Sequence, residues 1–336
     1  MERCVRKTVY ILGAGFSAPA GIPTMADFIS KAKDIEDDDI KELLKKIRDF
    51  SVIKNYCKSD LSNLEEAFSI LAADDLISGS DNAELMKSFL EKTVKSCTPE
   101  INLIPDKNLH SSEDNWVNYI IKGKYEKIFH FLSRVMLLKF KKEGKGEKCL
   151  KIERMDWNEH NDIITFNYDT LLENCLEILN SKALKDYEVS LELDKLHGSV
   201  YCNNIVPPTW AKIGAKNLNE IWCRALKKIS NANRLVFIGY SLPESDAYFR
   251  CFLKSALSKA ENLKEIKVVC KDEKGIVEKN YEEFSSPVKF KFINEKWEKV
   301  VPGFDIKSDV QSSGNPSIKQ SWWIEENDPE NIFGWG

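Results

Sequence analysis

Three side chains that can bind hydroxyl groups or transfer protons follow predicted β-strands in this sequence. Asn167 and Asp169 come directly after the strand-like run 162–166, and His197 comes shortly after a second such run, Tyr187–Leu193. Ligands of open α/β sheets bind outside the carboxyl ends of the strands. We therefore expect a carboxamide, a carboxylate and an imidazole to converge on one crevice. An imidazole titrates near neutral pH, so this set favours general acid–base chemistry.

A glycine-rich turn follows the first predicted strand, Thr8–Leu12. Its sequence, Gly13-Ala14-Gly15-Phe16-Ser17-Ala18, fits the Gly-x-Gly-x-x-Gly/Ala pattern, in which glycines let a pyrophosphate approach backbone N–H groups. A tight strand-to-helix turn that binds no ligand is the competing interpretation.

The segment after this turn argues against an ordinary NAD dehydrogenase. Such enzymes place an acidic residue at the end of a second strand about twenty residues later, where it binds the ribose. Here the acids near that distance fall in the charged run 34–39, which is typical of a solvated surface. The stretch Pro19–Thr24 contains too many helix breakers for a long helix and is predicted to form a loop over the glycine-rich turn, before a helix resumes at Met25.

Strands and helices alternate along much of the remaining chain. Further strand-like runs occur at 234–242, 264–270 and 288–293, and helical stretches occur around 218–229 and 245–257. This alternation is typical of a mostly parallel sheet with helices on both faces. The sequence therefore predicts an α/β fold with a doubly wound sheet.

A long insertion separates the first strand from the second. Between about residues 31 and 150, apolar residues recur at helical spacing in three stripes, which begin at Ile40, Leu64 and Ile128. The lysine-rich stretch 139–148 is predicted to be a surface turn. These patterns predict a large helical insertion within an α/β domain that covers residues 1–300.

The C-terminal tail, residues 301–336, is loosely patterned and carries Trp322, Trp323 and Trp335. Tryptophan side chains gain most of their stabilisation from burial. Docking on the protein's own surface and contact within an oligomer both satisfy this requirement, and the sequence favours neither.

Composition argues against several classes of partner. Of the 336 residues, 43% are hydrophobic and 30% are charged, as in soluble globular proteins. The net charge of −4 gives no basic field for direct binding of nucleic acid or of an anionic membrane. No apolar run is long enough for a bilayer and no signal peptide is recognisable, so we expect a cytoplasmic location. The nine cysteines include no Cys-x-x-Cys spacing, so we expect free thiols and no zinc.

Four groups of short motifs occur at the predicted strand ends. They are Gly13-Ala14-Gly15-Phe16-Ser17 with Gly21-Ile22-Pro23, then Thr165-Phe166-Asn167-Tyr168-Asp169, then Leu196-His197-Gly198, and last Gly239-Tyr240-Ser241-Leu242. In this order they resemble the motif series of the sirtuin superfamily. The Asn-Tyr-Asp and Gly-Tyr-Ser-Leu versions resemble the SIR2-like domains of bacterial anti-phage defence proteins more than the deacylases. The resemblance spans Thr8 to Asp272 and omits the insertion and the tail.

The resemblance implies a Rossmann-like, NAD-binding domain. It implies that Asn167 binds the nicotinamide ribose and that His197 is the catalytic base. It places the adenosine and pyrophosphate near the glycine-rich turn, and the adenosine ribose by Ser241 and Asp272. Asp169 is either a second carboxylate near the ribose or the N-cap of the following helix. The candidate NAD-binding residues are Gly13, Ala14, Gly15, Ser17, Pro23, Asp27, Asp169, Gly239, Ser241 and Asp272.

Two departures from the deacylases bear on the reaction. Their zinc-binding cysteine pairs are absent, and Thr24-Met25-Ala26-Asp27 replaces the Asp-Phe-Arg segment that follows their Gly-Ile-Pro. We therefore expect an NAD+ hydrolase, with NAD as its substrate, that acts in anti-phage (abortive-infection) defence. The alternatives are an NAD-dependent protein deacylase, an ADP-ribosyltransferase and a non-catalytic NAD-sensing subunit. A homo-oligomer is expected, and the resemblance adds a separately encoded ATPase or phage-sensing partner.

Overall fold

The computed structural model describes residues 5–49, 63–101, 124–142, 150–154, 158–180, 191–202, 204–209, 218–284, 288–301, 305–309 and 319–323. The strands are β1 (Arg6–Leu12), β2 (Leu138–Lys142), β3 (Leu150–Arg154), β4 (Glu159–Thr165), β5 (Leu193–Lys195), β6 (Arg234–Ile238), β7 (Glu265–Val269), β8 (Lys289–Ile293), β9 (Asp305–Asp309) and β10 (Lys319–Trp323). The helices are α1 (Ala14–Ser17), α2 (Phe28–Ala32), α3 (Asp38–Asp49), α4 (Leu64–Ser78), α5 (Ala83–Cys97), α6 (Glu126–Val135), α7 (Leu171–Ile178), α8 (Asn219–Ser230), α9 (Ala247–Leu257), α10 (Ile276–Glu282) and α11 (Trp297–Val300).

A six-stranded parallel sheet is the centre of the fold. Its strand order is β5-β4-β1-β6-β7-β8, which is the order of dinucleotide-binding α/β folds when these six strands are counted along the chain. The chain moves outwards from β1 in one direction through β4 and β5, and in the other through β6, β7 and β8. The switch point therefore lies between β1 and β6. The prediction of an α/β, doubly wound, mostly parallel sheet is confirmed.

The ends of the central strands lie at one level. Leu12, the last residue of β1, is in register with Thr165 at the end of β4 and with Ile238 at the end of β6. The turns that follow these three strands consequently begin side by side at the carboxyl edge of the sheet. This register brings the glycine-rich turn next to the Asn-Tyr-Asp and Gly-Tyr-Ser-Leu segments.

Helices cover both faces of the sheet. On one face the core contains residues of α6 and α7, and on the other it contains residues of α8 and α9. The central strands are buried on both sides, which explains why β6 reads as a near-continuous apolar run. A third core joins α2, α3, α4 and α5 to Tyr168, Val200 and Ile205, so that the insertion packs directly against the segments carrying Asn167 and His197.

A second sheet corrects two predictions. Residues 138–142 form β2, where we expected the end of a helical region and a surface turn. The order of this antiparallel sheet is β3-β2-β10-β9, so β10 of the tail pairs with β2 of the chain's own insertion, and β9 pairs with β10. Apolar and polar residues alternate in Leu138-Lys139-Phe140-Lys141, which is a strand pattern that the many lysines obscured. Trp335 lies outside the described residues.

Two further boundaries differ from the prediction. The strand before His197 is β5, Leu193–Lys195, and so begins where the predicted run Tyr187–Leu193 ends; residues 187–190 lie outside the described part. The helix predicted to resume at residue 25 begins at Phe28 as α2. Among the described helices, none has the length and apolarity needed to cross a membrane.

Candidate active site

A cleft of about 650 Å³ opens at the switch point of the parallel sheet. Its walls come from the turns after β1, β4, β5, β6 and β7, from the start of α4, and from the segment around α11. Nine of the predicted site residues line it. They are Ala14, Gly15, Ser17, Pro23, Asn167, Asp169, His197, Gly239 and Ser241.

The other three predicted residues do not line the cleft. Gly13 lies behind Asn167, and its carbonyl oxygen accepts a hydrogen bond from the side-chain amide of Asn167. Asp27 accepts hydrogen bonds from the backbone N–H and the hydroxyl of Thr24, so its carboxylate closes a local turn. The carboxylate of Asp272 accepts hydrogen bonds from backbone N–H groups at the beginning of α10 and thereby caps that helix.

The glycine-rich turn is packed tightly against the turn after β6. The Gly13 N–H donates to Ile238 O and the Gly15 N–H donates to Gly239 O, both at 2.9 Å. A Cβ on Gly15 would lie 2.8 Å from the Gly239 Cα, and one on Gly13 would lie 2.6 Å from the Gly239 carbonyl oxygen. Backbone packing by itself therefore requires both glycines. Their two N–H groups are also committed to the protein, so they are not the groups that bind a phosphate.

Asn167 is held in one orientation by its own amide group. Nδ2 donates to the carbonyl oxygen of Gly13 and to Oγ of Ser17, each at 3.0 Å. The side chain is buried, and its Oδ1 makes no hydrogen bond to any residue that the structure describes. Because a carboxamide oxygen accepts hydrogen bonds, Oδ1 is suited to receive a hydroxyl group of a ligand in the cleft.

His197 lies half-buried between two aromatic rings. Its imidazole centroid is 5.3 Å from the ring of Phe166 and 5.8 Å from that of Tyr168. The backbone on either side is fixed, since His197 O accepts the Val206 N–H at 3.0 Å. At Gly198, where φ is 80°, a Cβ would lie 2.2 Å from the carbonyl oxygen of Asn204. The loop that carries the imidazole is therefore closed and compact.

Tyr168 ties this loop to the end of β4, a role that the sequence did not predict. Its hydroxyl donates to Val206 O at 2.8 Å, and its carbonyl oxygen accepts the Val200 N–H at 3.0 Å. Burial raises the pKa of Tyr168, and the carboxylates of Glu65 and Asp246 raise it further, so the phenol remains a neutral donor. Tyr168 thus contacts the imidazole with its ring, and its two hydrogen bonds hold the loop that carries His197 at Val200 and at Val206.

Asp169 lies one residue before Thr170, the N-cap of α7, so it is not itself the predicted N-cap, although its carboxylate binds the first turn of the helix. Its Oδ1 accepts the Leu171 N–H at 3.0 Å at the beginning of α7. Its carbonyl oxygen accepts the ammonium group of Lys195, which also binds Glu173 at 2.6 Å. The residue lines the cleft as well, so a role near a ribose stays a prediction.

Several other lining residues were not among the site residues predicted from the sequence. Tyr240 stacks on Phe166 with ring centroids 4.3 Å apart, and its hydroxyl donates to Asp246 at 2.5 Å. Trp297 stacks on Phe16 at 4.4 Å and donates its Nε1–H to the carbonyl oxygen of Phe16. The remaining missed residues of note are Glu65, Lys271 and Lys296. Within the described residues, no cluster of histidine, cysteine, aspartate and glutamate could hold a metal ion.

Comparison with known proteins gives one family match. Residues 161–286 match the model of a family described as "SIR2-like domain", a stretch that includes Asn167, His197 and Gly239 but not the glycine-rich turn. No curated protein sequence matches the chain. Similar solved structures include Sir2Tm bound to a propionylated peptide and a complex described as Sir2, p53 peptide and NAD+. Each is 14% identical, covers 88% of this chain and 90% of its own, and has a TM-score of 0.37.

Proposed function

We propose that this protein is an NAD+ hydrolase that cleaves the bond between nicotinamide and ribose, giving nicotinamide and ADP-ribose. One observation carries the proposal: a single cleft at the switch point holds both His197 and an Asn167 whose amide oxygen is without a hydrogen bond to the described residues. The match of residues 161–286 to a SIR2-like domain supports an NAD-related function.

The cleft fits a dinucleotide in size and in chemistry. Its volume of about 650 Å³ lies within the range of roughly 300–1,000 Å³ that is usual for ligand and cofactor sites. Gly15 and Gly239 contribute backbone atoms to its lining. Phe166 and Tyr240 present stacked aromatic rings in its wall. Apolar walls with a few convergent polar groups are typical of such sites.

The reaction requires orientation of the ribose and removal of a proton. Cleavage of a glycosidic bond gives the sugar oxocarbenium character, which a correctly placed water molecule then captures. Asn167 Oδ1 would accept a ribose hydroxyl and fix the sugar. His197 would take the proton from water or from a ribose hydroxyl, a contribution of roughly 10²–10⁴-fold for general base catalysis.

Incubation of the purified full chain with NAD+ alone tests this function. We expect nicotinamide and ADP-ribose to appear in equal amounts without any protein co-substrate. Release that requires an acyl-lysine peptide would instead identify a deacylase, and transfer of ADP-ribose to a protein would identify a transferase. Binding of NAD+ without any turnover, at all protein concentrations and also after addition of the ATPase or phage-sensing partner, would identify a sensing subunit.

The biological role that we propose follows from the same chemistry. A hydrolase that consumed NAD+ without restraint would harm its own cell, so its activity must be held back until a signal arrives. The insertion and the tail lie outside the motif-carrying part of the chain, and they pair with each other through β2 and β10. We propose anti-phage defence in the cytoplasm, with control by homo-oligomer assembly and by an ATPase or phage-sensing partner.

Replacing Tyr168 with phenylalanine is expected to lower kcat by about tenfold and to leave KM nearly unchanged. The change removes the hydroxyl that binds Val206 O but keeps the ring beside His197. The loop that carries the imidazole then loses one of its ties, and a small displacement of a catalytic group is costly. Steady-state kinetics with NAD+ across a pH range would measure the effect.

Ser133→Ala is the matched control for this variant. It also deletes a buried hydroxyl that donates to a backbone carbonyl, here Phe129 O at 2.6 Å on α6. Each change deletes one buried hydrogen bond, which should cost roughly 0.5–1.5 kcal/mol of stability. Equal losses of turnover in the two variants would show that Tyr168 contributes stability only.

A further inference from the structure

Strand β3 forms one edge of the antiparallel sheet. It pairs with β2 on one side, and no other strand that the structure describes pairs with its outer side. Such an edge presents a row of backbone N–H and C=O groups that can pair with another strand. The occupant of this edge can be identified from the sequence of β3.

The sequence Leu150-Lys151-Ile152-Glu153-Arg154 is complementary to itself when reversed. Two copies paired antiparallel about Ile152 place Lys151 of each opposite Glu153 of the other. The two isoleucines face each other at the centre, and Leu150 lies opposite Arg154. Directly opposed residues in antiparallel strands interact, and opposite charges stabilise such pairs.

Neighbouring registers are unfavourable for the same strand. A twofold axis relates the two copies and passes through the centre of the pairing. Because opposed side chains must point to the same face of the sheet, this centre lies at a residue. The neighbouring registers are therefore centred on Lys151 or on Glu153. One step in either direction places Lys151 opposite the Lys151 of the second copy, or Glu153 opposite its Glu153. Like charges directly opposite are destabilising. The register about Ile152 also pairs the full strand.

The register within the chain pairs Lys151 with a residue of like charge. In the register with β2, Lys151 lies opposite Lys141, whereas Glu153 lies opposite Lys139. A second copy at the outer edge supplies the carboxylate that the inner neighbour lacks. The other edge strand differs, because full-length pairing of β9 about Lys307 would set Asp305 opposite Asp309 and Lys307 opposite itself.

We infer that two copies of this chain associate edge to edge through β3, so that two four-stranded sheets join into one. Five residues on each side form a contact smaller than the roughly 1,200–2,000 Å² of stable interfaces, so the dimer depends on concentration. The inference concerns assembly alone and holds whether or not the cleft hydrolyses NAD+.

Sedimentation of the full chain over a range of concentrations tests this association. Wild-type protein is expected to form dimers as the concentration rises. Lys151→Glu sets two glutamates opposite each other at both symmetry-related positions and should weaken association by about tenfold or more. The same change places a carboxylate opposite Lys141 within the chain, so the hairpin itself is not destabilised.

The double variant Lys151→Glu with Glu153→Lys restores opposite charges across the interface and should restore the dimer. Lys307→Glu on β9 is the control and should leave association unchanged. Monomers at every concentration, a dimer that Lys151→Glu does not weaken, or a loss that the double variant does not recover would each overturn the inference.

Discussion

Replacing His197 with alanine is expected to reduce NAD+ turnover by about 10²–10⁴-fold, the usual contribution of a general base. The side chain lies half-buried in the cleft and packs against the rings of Phe166 and Tyr168. Its removal therefore deletes the proton acceptor and leaves the strands that form the site in place. Release of nicotinamide from NAD+ by the purified variant measures the effect.

His160→Ala is the matched control. That imidazole lies on β4 with more than half of its side chain exposed, and it pairs with Asp162 at 3.2 Å rather than lining the cleft. Its removal should leave turnover unchanged. Turnover of His197→Ala close to that of the wild type would show that the proposed base is wrong.

Asn167→Ala should also abolish turnover, but with a measurable loss of stability. Its Nδ2 joins Gly13 to Ser17, so the alanine variant loses two buried hydrogen bonds of the glycine-rich turn. Each lost hydrogen bond costs roughly 0.5–1.5 kcal/mol. The polar position after β4 suggested a residue that serves only a ligand, whereas the structure shows that the same side chain also holds two turns together.

The parallel sheet could be predicted from the sequence because its central strands are buried on both faces. β1 and β6 therefore contain short apolar runs, and the turn residues that follow them mark their ends. The second sheet could not be predicted from the sequence. Its strands are short and rich in lysine, and β2 pairs with β10, which lies far along the chain. No local pattern specifies such a partner.

The candidate site shows the same division. Asn167 and His197 could be predicted because they follow strands whose carboxyl ends must meet at the switch point. Glu65 and Trp297 could not, because they reach the cleft by the packing of α4 and α11. Asp272 follows a strand just as Asn167 does, but it also precedes a helix, and its carboxylate binds that helix's N–H groups. A position after a strand identifies a candidate, and the competing local hydrogen bonds decide its role.

Gly239→Ala is expected to be strongly destabilising, and Gly275→Ala only mildly so. Both glycines have left-handed backbone, with φ of 62° and 68°, which costs an alanine roughly 1–2 kcal/mol. A Cβ on Gly275 would meet open space, whereas one on Gly239 would lie 2.4 Å from the Phe16 nitrogen and 2.5 Å from the Gly15 carbonyl carbon. Overpacking against backbone should add about 1–3 kcal/mol or more.

Urea unfolding of the two variants beside the wild type measures this difference directly, because the backbone penalty is common to both and cancels. A larger loss in Gly239→Ala would show that the turns after β1 and β6 must pack backbone to backbone before any ligand arrives. Equal losses would mean that the neighbouring turn yields to a methyl group, and the two turns would then not be rigid. The comparison therefore separates what the glycines do for the fold from what they do for NAD+, since neither measurement requires the ligand.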